Sequence, residues 1–147
     1  MANALYGLGR NKFARGEINW LASAGDTIKI CLLKAAYTPS IDTHEFFTSL
    51  GANVVGNAGG TGRSDCPTLT LIDPTLGVVD ANDSQLNSVP GSVGQCNYLC
   101  IFKDGGSDGT SPLLALIDTA GGTLPITPNG NNITVTWDSG ANRIFKL

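Results

Sequence analysis

Thr27-Ile28-Lys29-Ile30-Cys31-Leu32-Leu33-Lys34-Ala35-Ala36-Tyr37 is the stretch that decides the fold class. Ile28, Ile30 and Leu32 fall on one side of an extended chain, and Lys29, Cys31 and Leu33 fall on the other. A period of two is the period of a strand. Pro39 stops the run, because proline lacks the N–H that a ladder needs.

Toward the C-terminus the same pattern returns several times. Asn53–Gly56 reads as a short strand, and Thr68–Asp73 and Val78–Asp80 read as two more across the turn Asp73-Pro74-Thr75-Leu76-Gly77. Cys96–Lys103 is a strongly apolar strand, Pro112–Asp118 another, and Leu124–Ile126 a short piece. In Asn132–Trp137, Ile133, Val135 and Trp137 alternate with Asn132, Thr134 and Thr136. Asp138–Asn142 then turns the chain back, which makes Ile144–Leu147 its expected hairpin partner. Asn57–Ser64 is a glycine-rich loop, and Gln85–Gly94, Asp104–Thr110 and Thr119–Gly122 read as polar loops or turns.

Toward the N-terminus, Ile18 and Trp20 alternate with Glu17 and Asn19 as in a strand. Asn3–Arg15 reads as a short amphipathic helix with Asn3 as its N-cap and Leu5, Leu8, Lys12 and Phe13 on one face. Gly7 and Gly9 weaken it and Gly16 can end it. A second small helix is expected from Asp42, with Glu45 three residues on as a capping box, Phe46, Phe47 and Leu50 inward, and Gly51 closing. Roughly eight short strands with two small helices near the start give a mainly β, single-domain antiparallel β-sandwich or jelly-roll-like fold over residues 1–147. No linker divides it.

Composition narrows the function. Of 147 residues, 41% are hydrophobic and only 14% charged, against about 25% charged in an ordinary soluble domain. A surface so poor in charge is badly protected against self-association, so part of it is expected to be covered by copies of itself or by a partner. The net charge of −3 and the absence of a basic run argue against nucleic acid as a partner. No apolar run approaches a membrane span. Met1–Arg15 carries Gly7, Gly9, Arg10, Lys12 and Arg15 where a secretory leader would be apolar, so synthesis in a cytoplasm is expected.

The chemistry-bearing residues do not converge. Cys31, Cys66, Cys96 and Cys100 form no CxxC pair, so no metal or redox motif is expected. They read as buried reduced thiols, with a disulfide formed after cell lysis as the other outcome. Cys96 and Cys100, four apart in a strand, are expected on one face. Asp118-Thr119-Ala120 after Leu116-Ile117, and Asp138-Ser139-Gly140, have the shape of an aspartic-protease turn. Such an enzyme needs two facing carboxylates, which here only a homodimer could supply. Gly56–Ser64 falls short of a phosphate loop: the glycine spacing is one too long, and Arg63 stands where a lysine belongs. His44, the only histidine, begins a zinc-protease-like His-Glu that lacks its second histidine. No catalytic, cofactor or metal residue is assigned.

The two ends of the chain resemble a family of small virion proteins encoded in tailed-phage genomes. The likeness rests on Met1-Ala2-Asn3-Ala4-Leu5-Tyr6, Gly9-Arg10-Asn11-Lys12-Phe13, Ile18-Asn19-Trp20, Asp26-Thr27-Ile28-Lys29, Tyr37-Thr38-Pro39 and Thr43-His44-Glu45-Phe46. It continues in Ser111-Pro112-Leu113, Ile117-Asp118-Thr119, Leu124–Gly130 and Ile133–Leu147, and is poor over about Val54–Gly94. The resemblance implies a structural component of a phage particle and transfers no catalytic residue. A small, charge-poor β domain without heptads suits a capsid decoration or cement protein on the outer head. Its partners would be the major capsid protein and its own copies, a homotrimer included. The rival positions are tail, neck, baseplate or fibre. Within residues 1–17, read as a docking helix or arm, Leu5, Tyr6 and Phe13 are the candidate partner-binding anchors; the other reading is that this segment covers one end of the sandwich.

Overall fold

The computed structural model describes residues 3–21, 25–56, 62–120, 123–141 and 143–147. The chain is mainly β, an antiparallel, sandwich-like single domain built around one five-stranded sheet. That sheet runs in the order β1 (Ala4–Leu5), β8 (Leu113–Ile117), β7 (Cys96–Lys103), β2 (Ile28–Lys34), β3 (Arg63–Asp65). Two small sheets accompany it. One has the order β10 (Phe145–Lys146), β5 (Val78–Asp80), β4 (Thr70–Asp73), and the other pairs β6 (Ser84–Leu86) with β9 (Ile133–Val135). The helix α1 spans Gly7–Ala14, and short 3-10 turns occupy Phe47–Asn53, Gly91–Val93 and Asp108–Thr110.

The alternation in β2 does what its period requires. Ile28, Ile30 and Leu32 enter one hydrophobic cluster with Leu99, Ile101 and Leu114, under the small sheets. Cys31 and Leu33 enter a second cluster on the opposite face with Cys100, Phe102, Leu113 and Leu116. Tyr6, Tyr37, Phe47 and Leu50 cover that second face. The central strands are therefore buried on both sides, which explains their unbroken apolar composition.

Several expectations change. Asn3 caps no helix; the chain first pairs as β1, with Ala4 opposite Leu116 and Leu5 opposite Ala115. Tyr6, in extended conformation, precedes α1 instead. The capping box at Asp42 does not form. Phe46 bridges Pro112, the Glu45 carbonyl accepts from the Leu113 N–H at 2.8 Å, and the Phe47 N–H donates to Ser111. That β pairing consumes the backbone a helix would need, so only a 3-10 turn begins at Phe47. Gln85 and Leu86, placed at the start of the polar loop Gln85–Gly94 by the sequence, form with Ser84 a strand paired with β9. Consequently Ile144–Leu147 is not the hairpin partner of residues 132–137; Phe145 and Lys146 pair with Val79 and Val78. Cys96 and Cys100 lie on opposite faces, because the ladder shifts register between Leu33 and Lys34. Tyr98 is opposite Leu33 and Cys96 opposite Lys34, so the intervening Asn97 is the extra residue that turns Cys96 over. The expected turns Thr119–Gly122 and Asp138–Asn142 and the loop Asn57–Ser64 fall partly outside the described residues, at 121–122, 142 and 57–61.

Candidate contact surface

Leu5, Tyr6 and Phe13 turn inward. Tyr6 is 0% exposed. Its hydroxyl shares a hydrogen bond with that of Tyr37 at 3.0 Å, and Tyr37 shares one with His44 Nδ1 at 2.8 Å. Burial pushes the Tyr6 phenol well up and that of Tyr37 up to about 12. Tyr6 is thus a core residue of the second cluster. Leu5 and Phe13 are half-buried against the first cluster. The Phe13 ring meets Phe145 edge-on at 6.1 Å, and Phe145 meets Trp20 at 5.2 Å. Trp20 Nε1 in turn donates to the Asp80 carbonyl at 2.9 Å. This ladder fastens the N-terminal segment onto the β10–β5–β4 sheet, so the segment closes the sandwich rather than reaching out of it.

The turn-forming acids are engaged locally. Asn3 Oδ1 accepts from the Asp118 and Thr119 N–H groups, each at 3.0 Å, while Asn3 Nδ2 donates to the Thr119 carbonyl at 3.0 Å. The Thr119 hydroxyl donates to the Asp118 carboxylate at 2.9 Å. Asp138 lies exposed at the rim of an open cavity of about 570 Å³ whose floor is Leu32, Leu99 and Ile117. Arg63, from the phosphate-loop-like segment, belongs to β3; it stacks over Phe47 at 3.9 Å and binds Asp108 at 2.6 Å. His44 serves the tyrosine pair. Among the described residues no group of three metal-ligating side chains comes together, and no helix is long and apolar enough to cross a membrane.

What the fold leaves on its surface is an apolar edge. Strand β4 is the outer member of its sheet, and Leu71 and Ile72 on it are 38% and 47% exposed. At the adjoining hairpin tip Leu76 is 54% exposed, and the C-terminal Leu147 is 48% exposed. Leu147 is held there: its N–H donates to the Gly77 carbonyl at 3.2 Å. The tip is held too. Asp73 Oδ1 accepts from the Thr75 N–H at 2.8 Å, the Thr75 hydroxyl at 2.6 Å and the Leu76 N–H at 3.1 Å. Those donors, with the Thr75 hydroxyl foremost, pull the Asp73 carboxyl below its ordinary value. Gly77 completes the turn at φ +63°, where a side chain would be strained.

Neighbouring exposed leucines on an edge strand invite contact. The β4–β5 ladder shifts register between Leu71 and Asp73, leaving Ile72 as the odd residue, and Pro67 and Pro74 flank the strand. A bulge and flanking prolines resist runaway strand addition, and they leave the apolar side chains of this edge in solvent. The sequence singled out neither Leu71 nor Leu76; the available signal was a strand whose two faces are both apolar beside a proline turn. Charge elsewhere is neutralised in place. Six of the nine basic side chains (Lys12, Arg15, Lys29, Arg63, Lys103 and Arg143) sit within ion-pair distance of carboxylates.

No family model, no curated protein and no solved structure matches this chain.

Proposed function

We propose that this protein is a structural component of a tailed-phage virion, a decoration protein that binds the outer head and stabilises the shell. The observation that carries the reading is the pair of exposed apolar side chains Leu71 and Ile72 on the outer strand β4, with Leu76 exposed at its hairpin tip, on a domain poor in charge. The resemblance of both termini to small virion proteins supports it from the sequence side. The in-place pairing of most cations favours a protein surface over nucleic acid as the partner. A protein that binds only the assembled shell stabilises it by mass action, and many symmetric copies with modest contacts add through avidity.

The test is the copy number of this chain per purified particle, relative to the major capsid protein, by quantitative mass spectrometry. Abundance near that of the capsid subunit is expected. A few copies per particle would move the protein to the neck, baseplate or fibre, and absence would overturn the virion reading. Within a decorated particle, Leu71→Lys and Leu76→Lys are expected to weaken attachment about tenfold or more while leaving the fold intact.

A further inference from the structure

The second hydrophobic cluster contains two thiols that face each other across the central sheet. Cys31 of β2 stands directly opposite Cys100 of β7. Both are 0% exposed and both belong to the face covered by Tyr6. The Asp104 N–H donates to the Thr27 carbonyl at 2.8 Å, one step beyond the Ile28–Lys103 pair. Counting in steps of two from that bonded pair makes Cys31–Cys100 a hydrogen-bonded pair, with Cα atoms about 5.5 Å apart. That separation lies within the range a disulfide spans, about 4.4–6.8 Å. Cys66 and Cys96 have no such relation, both lying in the cluster on the opposite face.

We propose that Cys31 and Cys100 are a modification site, a cross-strand dithiol that a peroxide converts to a disulfide within the folded domain. One of the two sulfurs, taken as that of Cys100, attacks the peroxide. An S–O bond forms, the O–O bond breaks, and the departing hydroxide leaves as water with the thiol proton. The Cys31 sulfur then attacks the Cys100 sulfenic acid; the S–S bond forms, the S–O bond breaks, and a second water leaves with the Cys31 proton. Two thiols lose two electrons in total and hydrogen peroxide is reduced to two waters. The product closes a loop of roughly 70 residues between the two central strands, which restricts the unfolded chain. Both side chains are fully buried, so the reaction is slow and favours the pair that is already placed.

The test uses the full chain, reduced, freed of reductant and treated in its folded state with hydrogen peroxide, then mapped by mass spectrometry without reduction. The expected result is a monomer lighter by two hydrogens, with a linked peptide joining Cys31 to Cys100. Its Tm should rise by about 5 °C and return on treatment with dithiothreitol. The Cys31→Ala variant should show no rise; should it fail to fold, the peptide map of the unaltered chain decides alone. Links through Cys66 or Cys96, dimers, or Cys31 and Cys100 still free to alkylate after unfolding would each overturn the proposal. The site stands apart from the virion reading: either can fail without the other.

Discussion

Gly9 separates two physical arguments by sign. It lies inside α1, where helix propensity alone says that alanine stabilises by about 1 kcal/mol. The helix, however, rests directly on the backbone of β8. A Cβ at Gly9 would collide with the Leu113 carbonyl oxygen and sit 3.2 Å from the Leu114 Cα. Both atoms are backbone and cannot rotate away, so helix and strand must part. Parting them strains the Tyr6 N–H bond to the Leu114 carbonyl at 2.9 Å and the seat of the fully buried Tyr6 ring. Overpacking against rigid neighbours costs about 3 kcal/mol at the upper end of its usual range. Subtracting the propensity gain leaves Gly9→Ala destabilising by about 2 kcal/mol, a Tm lower by about 4–8 °C in a domain of this size. Gly7→Ala is the control, because its Cβ would approach closely only the flexible Asp42 carboxylate, at 3.3 Å, and would meet backbone at an ordinary 3.8 Å, and it should stay within about 0.5 kcal/mol. The measurement is urea unfolding of both variants, followed by fluorescence of the buried Trp20. A Gly9→Ala protein as stable as the parent, or more so, would refute the close approach of α1 to β8.

Three further outcomes are expected. Asn3→Ala removes four hydrogen bonds that hold Asp118 and Thr119; at an exposed site the loss should be about 1 kcal/mol in urea unfolding, and no change would mean the turn holds itself. Phe145→Ala empties the centre of the Phe13–Phe145–Trp20 ladder and should cost about 2 kcal/mol, with a changed near-ultraviolet circular dichroism signal from Trp20. Burial pushes the Cys66 thiol up to about 12 from 9.0, and Tyr37 up to about 12 from 10.0. The folded state therefore holds these protons while the unfolded chain gives them up, so stability is full below pH 9 and falls as pH rises toward 12. The urea midpoint at pH 11 should lie well below that at pH 8, by on the order of 2 kcal/mol, and a flat profile would count against the burial of both groups.

The parts legible in the sequence were those whose pattern is answered within a few residues or by two apolar faces. β2, β7 and β8 announce themselves because a strand buried on both sides has no polar alternative, and the β4–β5 hairpin is written in the Asp73–Gly77 turn. Pairing over long range was not legible. Ser84-Gln85-Leu86 is too short and too polar to read as a strand, and only Ile133–Val135, some fifty residues away, makes it one. Phe145 could have served a local hairpin equally well; what decides is the aromatic seat made by Phe13 and Trp20. Asn3 looked like a helix cap since it precedes an apolar run, yet its side chain is worth more to the N–H groups of residues 118 and 119. Cys96 lost its face to one extra residue, Asn97, which no periodicity signals. The contact edge was hidden for a related reason: exposure of Leu71 and Ile72 follows from which sheet β4 joins and on which side.

That placement has a mechanical consequence. The five-stranded sheet uses both faces of its central strands for the core, and its outer strands are engaged, β1 beside α1 and β3 against β6 through the Ser64 hydroxyl and the Gln85 carbonyl. Its interior rows have no side chain to spare for a partner. The small sheet is different: β5 buries Val78 and Val79, while β4 beyond it presents Leu71 and Ile72 outward. On the proposed function, stability and contact are therefore carried by different strands. Substitutions in β2 or β7 should unfold the protein before they alter what it binds, whereas charge placed at Leu71 or Leu76 should leave unfolding almost unchanged. A variant series that moved stability and attachment together at the β4 edge would mean that this edge is part of the core after all, and that the partner is met elsewhere.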